Sequence, residues 1–100
     1  MLHTVNKSPD ASALRQCLQF ISVDDVLVLI EDGVYCGLSG KLCPANAIDS
    51  WLEGPSTAYA VLADVEARGL LGRIDPRVVL IDYQQLVSLC VAHPTSKRWS

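Results

Sequence analysis

The chain has 100 residues, half of them apolar and only 19% charged, with a net charge of −3 at pH 7. That length predicts one domain spanning residues 1–100 with a modest core, and the charged share falls below the usual level of about 25%. No basic stripe is present to neutralise a phosphate backbone, which argues against direct nucleic-acid binding. The apolar runs are too short to span a bilayer. The start, Met1 to Val5, lacks the basic stretch and apolar core of a secretory signal, so a cytoplasmic location is expected. A small domain with so little charge has apolar surface left over, which favours burial in an oligomer.

Leu2-His3-Thr4-Val5 alternates apolar and polar and predicts a first strand. Ser8-Pro9-Asp10 reads as a helix start, with Ser8 as cap and Pro9 at the first helical position. The helix is expected to run from Pro9 to about Ile21, with Leu14, Leu18 and Ile21 inward. Asp24-Asp25 then turn the chain into the five-residue run Val26-Leu27-Val28-Leu29-Ile30. That run is short, branched and closed by Glu31-Asp32-Gly33, as a central parallel strand covered on both faces would be.

Further on, Cys43-Pro44 is expected to open a second helix carrying Ala45, Ala47, Ile48, Trp51 and Leu52, stopped by Gly54-Pro55. A third strand is predicted over 57–62, a short helix over 64–68 closed by Gly69, and a fourth strand over 77–81. Asp82 caps the last helix and Gln85 takes the capping-box position three residues later. That helix carries Tyr83, Leu86, Val87, Cys90 and Val91 and ends before Pro94. Strands alternating with helices predict an α/β fold: a three-layer α/β/α sandwich with a mostly parallel sheet of four or five strands, flavodoxin-like in outline.

Chemistry centres on four cysteines, at 17, 36, 43 and 90, because a thiolate is the strongest nucleophile among the side chains. None form a Cys-x-x-Cys pair and no histidine sits at zinc-finger spacing, so no metal site is expected. In a reducing compartment the four are expected as free thiols. Cys17 lies at the margin of the first helix's apolar stripe, either as a small core residue or as a thiol reachable by a partner. Cys43 stands just before a helical Pro, where unpaired N–H groups would lower its pKa; its plainer reading is a surface-loop cysteine. Cys36 could face the same sheet edge, and Cys90 is expected in the core. Glu31 and Asp32 could serve as acid and base, but Asp-Gly after a strand more often makes a turn. His3 and His93 have no nucleophile nearby in sequence. No phosphate-binding glycine motif appears, so no nucleotide or other cofactor is expected, and a stand-alone small-molecule module rests on fold logic alone.

Several segments carry a family likeness. Met1 to Pro9, the run Leu29-Ile30-Glu31-Asp32-Gly33-Val34-Tyr35, then Ala67-Arg68-Gly69-Leu70, Ile81-Asp82-Tyr83 and His93-Pro94 with Trp99 together resemble the TusB/DsrH family, in order and across essentially the whole chain. The resemblance implies a small α/β subunit of a persulfide-relay complex. It would assemble with TusC/DsrF-type and TusD/DsrE-type sister subunits into a heterohexamer. In one branch a TusA-type donor feeds the complex and a TusE-type acceptor receives the sulfur for 2-thiolation of tRNA wobble uridine. In the other, the complex serves oxidation of stored sulfur with a DsrC-type acceptor. The main relay cysteine belongs to the TusD/DsrE-type subunit. Leu14-Arg15-Gln16-Cys17-Leu18 resembles a helix cysteine of DsrH-type members, whereas His93-Pro94 resembles the tRNA-linked members. On that basis Cys17 is the candidate persulfide carrier, Cys43 the runner-up, and Trp51 and Trp99 the candidate interface anchors. The chain is then either an accessory subunit or a carrier itself.

Overall fold

The computed structural model describes residues 1–39, 48–54 and 56–100. Its elements in chain order are β1 (Leu2–Val5), α1 (Ala13–Phe20), β2 (Val26–Leu29), a 3-10 helix (Glu31–Gly37), α2 (Asp49–Glu53), β3 (Ala58–Val61), α3 (Leu62–Ala67), β4 (Val79–Ile81), α4 (Tyr83–Ala92) and β5 (Ser96–Trp99). The five strands form one sheet in the order β4-β3-β2-β1-β5, every neighbour parallel. The α/β expectation holds, with the fifth strand supplied by the segment after the last helix.

Topology dictates which face each helix covers. Steps from β1 to β2, β3 and β4 all move in one direction, whereas the step from β4 to β5 returns across the whole sheet. Right-handed crossovers therefore place α4 opposite the other helices. The packing agrees. Alternate strand residues Val5, Leu27, Leu29, Ala58 and Ala60 meet Ala13, Leu14 and Cys17 of α1, Leu52 of α2 and Val65 of α3. The intervening residues Leu2, Val28, Val61 and Ile81 meet Leu86 and Leu89 of α4. The two faces are thus a direct product of the two-residue period of the strands.

Two local expectations are corrected, and one segment adds an element the sequence reading did not assign. The first helix starts at Ala13, not Pro9. Ser8 spends its hydroxyl on Asp10 and its carbonyl on the N–H of Ala11, closing a turn before the helix. The segment after β2 winds at once into the 3-10 helix, because Gly33 lies against the end of β1: a Cβ there would stand 1.9 Å from the Val5 carbonyl oxygen. Cys90 is exposed, not core. Helix α4 reaches the sheet through Leu86 and Leu89, and Cys90 lies off that line. Asp82 caps α4 as expected, accepting the Gln85 N–H at 2.8 Å while Gln85 Oε1 accepts the Asp82 N–H at 2.9 Å. At the far side, the Arg77 guanidinium bridges Asp75 at 2.8 Å and Asp49 at 2.5 Å, tying the loop before β4 to α2.

Candidate functional site

A persulfide exchange needs a thiolate that a partner's sulfur can reach. Cys17 sits on the inward side of α1 and is fully buried against the sheet. Burial first, and the charge of Asp25 second, push its thiol up to about 12, so it is neutral at physiological pH. Cys36 lies in the 3-10 helix, also fully buried, with its thiol donating to the Lys7 carbonyl at 3.5 Å. Cys90, on α4, is the exposed thiol among the described residues. Cys43 lies outside the described residues, as does the expected opening of the second helix at Pro44.

Near Cys17 stands a polar arrangement that the sequence did not announce. His3 is fully buried on β1. The Trp99 indole N–H donates to His3 Nδ1 at 3.0 Å, so Nδ1 acts as acceptor and the ring proton sits on Nε2. Nε2 then donates to Asp25 Oδ2 at 2.9 Å. Asp25 also accepts the Ser22 N–H and the terminal amine of Met1, each at 3.0 Å. The Ser22 N–H foremost, helped by His3 and the amine and opposed by burial, holds the Asp25 carboxyl down at about 2. Outside this chain of bonds the Trp99 and Phe20 rings pack 5.8 Å apart, with the Lys97 ammonium 4.7 Å from the Trp99 ring centre. β5 pairs with β1 so that Lys97 lies beside His3 and Trp99 beside Val5, which brings the indole within reach of the imidazole. Trp99 is therefore already engaged within the chain. Trp51 is half-buried against the core, and its indole N–H donates to the Thr57 carbonyl at 3.4 Å.

The paired acids after β2 form the first turn of the 3-10 helix. Glu31 adopts φ +49°, a left-handed conformation that non-glycine residues rarely take. Its N–H donates to Asp64 Oδ2 at 2.9 Å, and Arg68 holds Asp32 at 3.0 Å. These bonds fix the turn that brings Gly33 against β1. No helix among the described residues is long and apolar enough to cross a membrane.

Three kinds of comparison set this chain among known proteins. In solved structures, the fold resembles protein Tm0979 of Thermotoga maritima, determined in solution by NMR, with a TM-score of 0.64 and 25% identity, covering 95% of this chain and 97% of that one. Among curated sequences, the chain is 36% identical to Protein TusB of Escherichia coli strain K12, over 99% of this chain and all of that protein. Protein TusB of Pectobacterium parmentieri is 37% identical and that of Erwinia tasmaniensis 35%, with the same coverage. The family model described as DsrH like protein matches residues 7–96. With nine-tenths of its length matched, the chain belongs to the DsrH-like family.

Proposed function

We propose that this chain is an accessory subunit of a cytoplasmic persulfide-relay complex, assembled with TusC/DsrF-type and TusD/DsrE-type sister chains. The relay takes sulfur from a TusA-type donor and passes it to a TusE-type acceptor for 2-thiolation of tRNA wobble uridine. Full-length similarity to proteins named TusB supports the tRNA branch over oxidation of stored sulfur. The observation that carries the accessory role is the state of Cys17, buried and with its pKa pushed up to about 12. In each transfer a thiolate bonds to the outer sulfur of a persulfide, the old S–S bond breaks, and the donor leaves as thiolate. A neutral thiol under a helix is poorly placed for that step.

The carrier reading keeps one support, the Leu14-Arg15-Gln16-Cys17-Leu18 resemblance, and it needs α1 to open when partners bind. The test is co-expression of the chain with its two sisters, recovery of the complex, and mass spectrometry after incubation with a persulfide donor. The accessory reading expects a stable complex in which sulfur accumulates on a sister chain, unchanged by Cys17→Ser. A mass gain of one sulfur on this chain that Cys17→Ser abolishes would establish it as a carrier. Failure to bind the sisters would end the relay reading altogether.

A further inference from the structure

Strand β5 forms one edge of the sheet, and among the described residues no strand pairs with its outer side. The parallel register with β1 sorts its peptide groups. The Thr95 and Trp99 carbonyls accept the Leu2 and Asn6 N–H groups at 2.9 and 3.4 Å, so the odd-numbered residues turn their backbone to β1. Alternation turns the N–H and C=O groups of Ser96 and Arg98 outwards. The side chains alternate as well. Lys97 and Trp99 lie on the face that α1 covers: the Lys97 ammonium stands 5.6 Å from the Phe20 ring centre, and Trp99 packs against the core on that side. Arg98, beside Thr4, lies on the α4 face. Ser96, Lys97 and Arg98 are all exposed. Neither Lys97 nor Arg98 joins an ion pair among the described residues, whereas Arg68 and Arg77 each hold acids. In a chain of net −3, two such cations on one strand are a local reversal of charge.

We propose that this edge docks an acidic extended segment of a partner protein, which adds to the sheet as a sixth strand and sets consecutive carboxylates against Lys97 and Arg98. Backbone and charge together select that occupant. The outward peptide groups of Ser96 and Arg98 match the donors and acceptors of a strand, the mode by which exposed sheet edges take up peptides. Lysine and arginine on an edge deter neutral and basic strands, whereas an acid facing each of them gains an ion pair. Neighbouring strand residues point to opposite faces, so one acid for Lys97 and one for Arg98 means two acids in succession. The Trp99 ring, on the Lys97 face, then meets an apolar residue of the same segment. Other occupants match less well. A second copy of β5 would set Lys97 and Arg98 against themselves. The opposite edge, β4, holds Val79, Leu80 and Ile81 and offers an acid no cation. A nucleic acid has phosphates for the two cations but no peptide groups for the edge between them.

Nothing in this edge depends on the relay reading, and the full chain alone tests it. The probe is a capped, fluorophore-labelled hexapeptide, Thr-Val-Glu-Glu-Thr-Val, titrated with the chain and read by anisotropy. Saturable binding is expected, and NMR is expected to show the Ser96 and Arg98 amides newly protected from hydrogen exchange. Combining Lys97→Glu with Arg98→Glu is expected to raise the dissociation constant by about tenfold or more, as is a peptide with Gln in place of both Glu residues. Arg15→Gln, at an exposed cation outside β5, is expected to leave binding unchanged. Two peptides N-methylated at alternate residues, one in each phase, are expected to differ: the phase that blocks the side turned to β5 stops binding, and the other does not. Thermal unfolding by circular dichroism confirms that each variant is folded. No saturable binding up to about 1 mM, a Gln peptide that binds equally well, or N-methylated phases that act alike would overturn the proposal. So would an RNA hexanucleotide that binds more tightly than the peptide and is lost on Lys97→Glu with Arg98→Glu, since a nucleic acid would then be the occupant. If the edge takes the peptide as expected yet the chain ignores its sisters, the relay reading alone fails.

Discussion

The two faces of the sheet are built from the same five strands yet reach opposite states. Alternate residues send Val5, Leu27, Leu29 and Ala60 to one side and Leu2, Val28, Val61 and Ile81 to the other. On the first side α1, α2, α3 and the 3-10 helix close over the strands and seal Cys17 and Cys36 at zero exposure. On the second side, among the described residues, α4 alone lies over the strands, and none of its residues is buried. The strands send buried apolar residues to both sides, so the difference comes from the helices. Helix α1 has one apolar side and a polar one with Arg15 and Gln16; α4 is apolar around much of its girth and uncharged. A helix amphipathic about its axis finishes a face, whereas one apolar on both sides leaves a second surface to be covered.

Gly33→Ala strikes the finished face hardest. Its added methyl would sit 1.9 Å from a backbone oxygen of β1, where no flexible side chain can yield. A loss of about 3 kcal/mol or more in urea-unfolding free energy is expected, in the range reserved for strained or overpacked sites. A loss below 1 kcal/mol by that measurement would mean the 3-10 segment is not clamped to β1.

The contrast between faces sharpens with a matched pair. Leu14 is 1% exposed under α1, while Leu86 on α4 is half-buried. Leu14→Ala is expected to cost about 2–5 kcal/mol. Leu86→Ala in the isolated chain should cost about 1 kcal/mol, since much of its side chain already meets water. Equal costs in chemical denaturation would mean that α4 is packed as tightly as α1, and the asymmetry would dissolve.

A smaller effect follows from Asp25, at the edge of the finished face. Its folded-state carboxyl titrates at about 2, below the ordinary 3.8. A depressed acid contributes stability above its unfolded pKa and loses it as pH falls through the folded value. Stability attributable to Asp25 is therefore complete above about pH 4 and drains away towards pH 2. Thermal melts across that window are expected to show a steeper fall for wild type than for Asp25→Asn. Parallel curves would show that the Ser22, His3 and Met1 bonds do not favour the ionised form.

Legibility in the sequence followed the range of the interaction. The Val26–Ile30 run announced β2 because a strand covered on both faces is apolar throughout, and Asp82 with Gln85 announced the start of α4 because a capping box spans four residues. Helix α1 starts later than its sequence suggests because Ser8 donates its hydroxyl to Asp10 and so withdraws the cap. The His3, Asp25 and Trp99 arrangement was not legible at all. Its closing bond joins residues 96 apart in sequence and exists because β5 crosses the sheet to lie beside β1. Cys90 escapes the sequence for a related reason. Val87 and Val91 flank it and suggest a core, but an apolar neighbourhood in sequence does not say which side of a helix faces the sheet.

Cys90 also offers the smallest stability effect and the clearest view of the two faces. Cys90→Ser exchanges one exposed small side chain for another, so the unfolding free energy should move by no more than about 0.5 kcal/mol. Chemical reactivity should separate the faces far more widely. A maleimide added to the native chain is expected to label Cys90 within the mixing time of a slow titration, while Cys17 and Cys36 react at the rate of local opening. Peptide mass mapping reads this directly, and urea should equalise the three. Should Cys17 label as fast as Cys90 in the native chain, α1 would be opening readily, and the thiol beneath it would be available for chemistry without any partner.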